Sequence, residues 1–282
     1  GTPDDLIIDS GDNQSTVVGT AFADPLSVRV NDNFGNPVSG VVVNFAAPGS
    51  GASATLSAPS ATTDANGIAS ITATANTLVG TYDVVASVGT LSASFALENQ
   101  VGVFADLIVQ GGDAQSTVVN TAFSDALTVK AVDQHGNAVS GVIVDFAAPS
   151  TGASASLSSA SASTDANGEA SVTATANTVA ASYVVSASSS GVNVEFNLSN
   201  TAGAVDSLAL VAGDAQSTTV GTAFTDALTV KASDAYGNLV PNASITFAAP
   251  STSASAVLSA ASANTGANGE ASVTATANTV IG

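Results

Sequence analysis

The chain has 282 residues, with 22 acidic side chains against three basic ones and a formal charge of −19. That balance excludes nucleic acid and anionic lipid as partners, because both are repelled and no basic stretch offsets the repulsion. Cysteine and methionine are absent, which removes disulfides, thiolate ligands and sulfur oxidation, and no run approaches the ~20 apolar residues of a membrane span.

The sequence repeats in steps of 101 residues without a gap. Asp12, Asp113 and Asp214 fall in register, as do Phe45, Phe146 and Phe247, and residues 168–179 are identical to 269–280. So long a period marks an array of whole small domains, since about 100 residues suffice to close one core. It predicts modules at 1–101, 102–202 and 203–282.

Within the first module, alternation with period two dominates and helical periodicity is missing. The predicted strands are, in order, 6–9, 26–32, 41–45, 54–56, 68–75, 81–88 and 91–97. Turns separate them. In Asp32-x-x-Gly35-Asn36 and Asp64-Ala65-Asn66-Gly67 an Asp opens the turn and accepts local N–H groups, while the Gly takes a positive φ. Seven short strands so punctuated predict an all-β fold of tandem antiparallel immunoglobulin-like β-sandwiches. The expected first core is Leu26, Val28, Val43, Phe45, Ile71, Tyr82, Val84, Phe95 and Leu97. Tyr82 and Tyr183 begin the sixth strand, where the ring is expected to be buried and the hydroxyl to cap a loop carbonyl. Arg29, Lys130 and Lys231, the three bases, occupy one outward strand position and are expected to hold a nearby carboxylate.

The predicted joins, 98–105 and 199–205, hold Gly102 and Gly203 but no Gly/Ser tract, so they read as semi-rigid rather than slack. Gly282 matches Gly80. The third module is therefore expected to be incomplete at its C-terminus, lacking its last two strands, with the natural polypeptide continuing. The absence of an opening signal-peptide pattern makes the chain read as an interior or processed piece of a larger secreted protein.

Four motifs recur in fixed order: D-x-x-G-N-x-V at 32–38, V-x-V-x-F at 41–45, T-D-A-N-G-x-A-S at 63–70 and G-T-Y-x-V-x-A at 80–86. As a set they resemble the group 1 bacterial immunoglobulin-like domains of the intimin and invasin surface adhesins. Gly266 departs from the T-D-A-N-G turn, and Ala181-Ser182-Tyr183 departs from Gly-Thr-Tyr. The resemblance implies a tandem stalk on a bacterial cell surface, extending a distal domain. No lectin-like tip or membrane barrel is present, so receptor binding is not carried over.

Little in the sequence points to catalysis. His135 is the one histidine and sits at a turn tip where the sister modules have Phe34 and Tyr236, which argues against imidazole chemistry. We assign no catalytic, cofactor-binding or metal residues. The competing reading is calcium at a module junction, with Asp12, Asp24, Asp106, Asp133 and Asp165 as candidate oxygen donors at the entry to the second module; the loop bearing Asp12 is then expected to lie across the joint. The expected partners are neighbouring modules of the same chain. In an alternative reading the chain is a subunit of a self-associating extracellular filament, and its partners are other copies of itself.

Overall fold

The alternating segments form strands throughout, and the computed structural model, which describes residues 1–282, contains no helix. The first repeat runs β1 (Asp5–Ser10), β2 (Gln14–Val17), β3 (Leu26–Asn31), β4 (Val42–Ala46), β5 (Ala54–Leu56), β6 (Ser60–Thr62), β7 (Ile68–Ile71), β8 (Ala73–Ala75), β9 (Gly80–Val88) and β10 (Leu91–Gln100). Its two main sheets have the orders β1-β3-β7 and β2-β10-β9-β4-β6, with β5 paired to β8 beside them. The pairs β1–β3, β3–β7, β4–β6, β4–β9, β5–β8 and β9–β10 are antiparallel, whereas β2 lies parallel to β10 with Gln14 opposite Leu97. This is the immunoglobulin-like sandwich.

All nine residues expected in the first core are there, eight buried and Tyr82 packed half-buried against them. Leu6, Phe22, Val30 and the small residues Ala69, Ala73, Ala75 and Ala86 complete it. Alanines suit these positions because two facing sheets pack close only where inward side chains alternate in size.

The structure corrects the strand assignments in three places. The predicted strand 68–75 breaks at Thr72, whose N–H is taken by the Ser57 hydroxyl, so β7 pairs with β3 while β8 pairs with β5. Strands β2 and β6 were not predicted; both are short and polar, and alternation over three or four residues carries no signal. The joins are also shorter than expected. β10 runs to Gln100 and the next strand begins at Phe104, leaving residues 101–103 between them.

The second repeat comprises β11 (Phe104–Gly111), β12 (Gln115–Val118), β13 (Leu127–Asp133), β14 (Ile143–Ala147), β15 (Ala155–Leu157), β16 (Ser161–Ser163), β17 (Glu169–Val172), β18 (Ala174–Ala176), β19 (Ala181–Ser189) and β20 (Val192–Thr201). Its strand orders, β11-β13-β17 and β12-β20-β19-β14-β16, repeat those of the first. The third contributes β21 (Ser207–Ala212), β22 (Leu228–Ser233), β23 (Ser244–Thr246), β24 (Ala256–Leu258), β25 (Ser262–Asn264), β26 (Glu270–Val273) and β27 (Ala275–Ala277). Here β21-β22-β26 is intact, whereas the second sheet is the pair β23-β25. Without counterparts of β9 and β10 to cover it, Leu228 is half-buried where Leu26 and Leu127 are fully buried.

The chain divides into two compact units. One is Gly1–Ile108 with Lys130–Ile143 and Ser163–Ala170; the other is Val109–Val129, Val144–Ala162 and Ser171–Gly282. The turn loops of the second repeat therefore group with the first repeat.

One glycine position is dictated by space. Gly11, Gly112 and Gly213 have φ near +90°, and a Cβ on Gly11 would lie 2.2 Å from the Pro25 carbonyl oxygen. Only glycine fits that approach.

Candidate inter-repeat joints

Functional geometry concentrates in the D-x-x-G-N turns, at the points where one repeat gives way to the next. Each of the two joints lies wholly inside one of the two units.

The first joint is built on the turn 133–137. The Asp133 N–H donates to the Asn137 carbonyl, the Gly136 N–H to the Asp133 carbonyl, and Gly136 supplies the positive φ. These bonds hold the carboxylate over the turn, where Asp133 Oδ1 accepts the N–H groups of His135 and Asn137, both at 2.9 Å. Its Oδ2 accepts the N–H of Gly102, in the linker, at 3.0 Å. A Cβ at Gly102 would come within 3.2 Å of that oxygen, so the small residue lets the linker lie against the acid. Asn137 completes the joint. Its Nδ2 donates to Asp133 Oδ2 at 2.9 Å and, 60 residues upstream, to the carbonyl of Thr77 in the first repeat, also at 2.9 Å. The His135 ring lies over Gly19, with Nε2 3.3 Å from where a Cβ would stand.

The second joint repeats the arrangement and adds to it. Gly203 N–H donates to Asp234 Oδ2 at 2.9 Å, and Asn238 Nδ2 donates to the Thr178 carbonyl at 2.9 Å. Asn238 Oδ1 also accepts the Ala180 N–H at 2.8 Å, and Tyr236 Oη accepts from Asn120 Nδ2 at 3.1 Å.

Asp133 and Asp234 are buried. Burial alone raises a carboxyl pKa. Here the Asn137 or Asn238 amide, then the linker glycine and turn N–H groups, outweigh it and hold both acids below the usual carboxylate value. Asp32 makes the same turn in the first repeat, accepting from Phe34 and Asn36 N–H, with the Gly1 amino group 3.4 Å away. Phe34 at its tip is 81% exposed.

The five acids proposed as calcium donors are given separate tasks. Asp133 gives Oδ1 to its own turn and Oδ2 to the linker, and Asp165 caps its own turn through the N–H groups of Asn167 and Glu169. Asp12 Oδ1 accepts the Ala96 N–H on β10, Asp24 receives the Gln14 side chain through its backbone, and Asp106 caps Leu107. No three acids or histidines come together as a metal-holding group. On the first-repeat side, the contacts of the joint come from Gly19 and Thr77, not from the loop bearing Asp12, because Asp12 is bound to the middle of β10.

Tyr82 also differs from expectation. Its hydroxyl donates to Asn99 Oδ1 at 2.9 Å rather than to a carbonyl. Asn99, fully buried, caps the loops instead, donating to the carbonyls of Ser53 and Leu78 and to Asn76 Oδ1. Tyr183 and Asn200 do the same in the second repeat. Sequence reasoning missed these asparagines because they fall in what read as linker; their coincidence with Tyr82 and Tyr183 at one repeat position was the available signal. Arg29 pairs with Asp9 at 2.9 Å and Lys231 with Glu270 at 3.1 Å, as expected of outward bases, whereas Lys130 forms no ion pair.

Residues 13–98 match the bacterial Ig-like domain (group 1) family, and the gapless repeat carries the same motifs and sheet orders onward. The first repeat belongs to the bacterial Ig-like domains of group 1. Among its relatives, the inverse autotransporter adhesin YeeJ of Escherichia coli strain K12 is 30% identical over 247 residues, which is 86% of this chain and 10% of YeeJ. The chain thus spans about a tenth of the length of that curated relative. The E. coli adhesin FdeC shares the fold, at TM-score 0.56 and 21% identity over 100% of this chain and 91% of that one. So does Yersinia pseudotuberculosis InvD, at TM-score 0.52 and 16% identity over 98% and 82%.

Proposed function

We propose that this Ig-like array is a structural spacer segment of a bacterial cell-surface adhesin, non-enzymatic, holding a distal domain away from the cell. The observation that carries the reading is the pair of bonded joints: a linker glycine and a preceding-repeat carbonyl are both held by one Asp–Asn turn, at 2.9–3.0 Å. Such a joint resists bending, and resistance to bending is what a spacer needs. The adhesin relative, of which this length is a small fraction, supports an extracellular, surface-attached setting. In this reading the partners are the neighbouring Ig-like repeats of the same chain.

Negative-stain images of the purified chain test it. Dispersed single particles with beads in file are the expected outcome. Long ordered fibres growing with concentration would replace the spacer with a self-associating filament.

A further inference from the structure

The two joints share a plan but not a strength. Both have the linker glycine on the Asp carboxylate and the Asn amide on a threonine carbonyl. Only the second adds the bond from Ala180 N–H to Asn238 Oδ1 and the bond between Asn120 and Tyr236. At the first joint the counterpart of Ala180 is Val79, and Asn137 Oδ1 receives no such bond. The tip and socket differ together: Tyr236 meets Asn120 in the second joint, whereas His135 meets Gly19 in the first. Position 19 and position 120 have the same left-handed backbone, φ +74° and +59°, so the socket shape is common and only its chemistry changes. Asn tolerates that conformation, as Asn120 itself does.

We propose that the joints are graded, with the first the compliant point of the chain and the second the stiff one, and that the tip–socket pairs His135/Gly19 and Tyr236/Asn120 set the difference. The physical basis is a difference of two hydrogen bonds, each of which shifts an opening equilibrium several-fold, together about tenfold. This deepens the spacer reading by locating where such a spacer flexes, and its test reads the joints themselves rather than reach.

The linker amides of Gly102 and Gly203 are equivalent reporters, because each is bonded to the carboxylate of its own joint. Amide hydrogen exchange by NMR, corrected for intrinsic rates, is expected to show Gly203 protected roughly tenfold more than Gly102. Tyr236→Phe, which removes one hydroxyl, should lower Gly203 protection several-fold and leave Gly102 unchanged. The double substitution Gly19→Asn with His135→Tyr should raise Gly102 protection toward the Gly203 value. Asn36→Ala, in the equivalent turn of the first repeat and outside both joints, should move neither amide. Equal protection of the two glycines overturns the proposal, as does a Tyr236→Phe chain whose Gly203 exchange is unaltered.

Discussion

At the residue scale, one side-chain type does most of the unusual work. The turn aspartates act chiefly as acceptors for backbone donors; the chain has only three basic side chains, and an exposed pair with one of them is worth little. The Asn36 N–H is the largest influence on Asp32, opposed by burial and reinforced by the Phe34 N–H, the Asn36 side chain and the terminal amine; together they bring its pKa down to about 2 from 3.8. A folded pKa below the unfolded one means that the stabilisation is fully present above pH 4 and is lost as pH falls toward 2. The carboxyl carbon of Asp32 should therefore titrate with a midpoint near 2 in a pH series of NMR spectra. Asp32→Asn should flatten the dependence of stability on pH in that acid window. A midpoint near the ordinary value would show that the turn bonds do not persist in solution.

At the scale of elements, buried polar hubs tie the sheets to their loops. Asn99, on β10, holds the loop around Ser53 and the segment around Leu78 while accepting from Tyr82 on β9. Burial of the Tyr82 ring pushes the phenol up to about 12, against the opposing bond to Asn99. Asn99→Leu leaves the Leu78 carbonyl and the Tyr82 hydroxyl without a partner and takes one of two bonds from the Ser53 carbonyl, which keeps the Asn76 N–H, a cost of roughly 2–4 kcal/mol. Tyr82→Phe removes a single bond and costs about 1 kcal/mol. Urea unfolding followed at the β9 and β10 amides of the first repeat should rank the two in that order. Strands β3, β4, β9 and β10 were legible because five or more alternating residues leave one reading of which face is buried. Strands β2 and β6 were not, because an edge of three or four polar residues is defined by the strand beside it. The parallel placement of β2 on β10 is a product of that neighbour alone.

At the scale of the whole molecule, the sparse bases become a probe. Arg29, Lys130 and Lys231 are the only sites for trypsin, and all three lie inside strands, β3, β13 and β22. A strand in a ladder cannot enter a protease cleft without local unfolding, so the native chain should survive trypsin intact on gels over hours. The first two sites should be the more resistant, since β22 belongs to the repeat whose core is more open. Rapid cleavage at Arg29 in native buffer would contradict the pairing of β3 between β1 and β7.

Residue order alone determined the repeat, its step, the β class, the sandwich core and the Asp-to-Asn turns, because each is a local pattern or a copy of one. The joints themselves were decided only in three dimensions. Asn137 meets a carbonyl 60 positions earlier, Asp133 meets the linker, and Asn99 meets two loops. Hydrogen-bond partners so far apart leave no periodic trace in a sequence, since it is the packing of sheets that brings donor and acceptor within 3 Å.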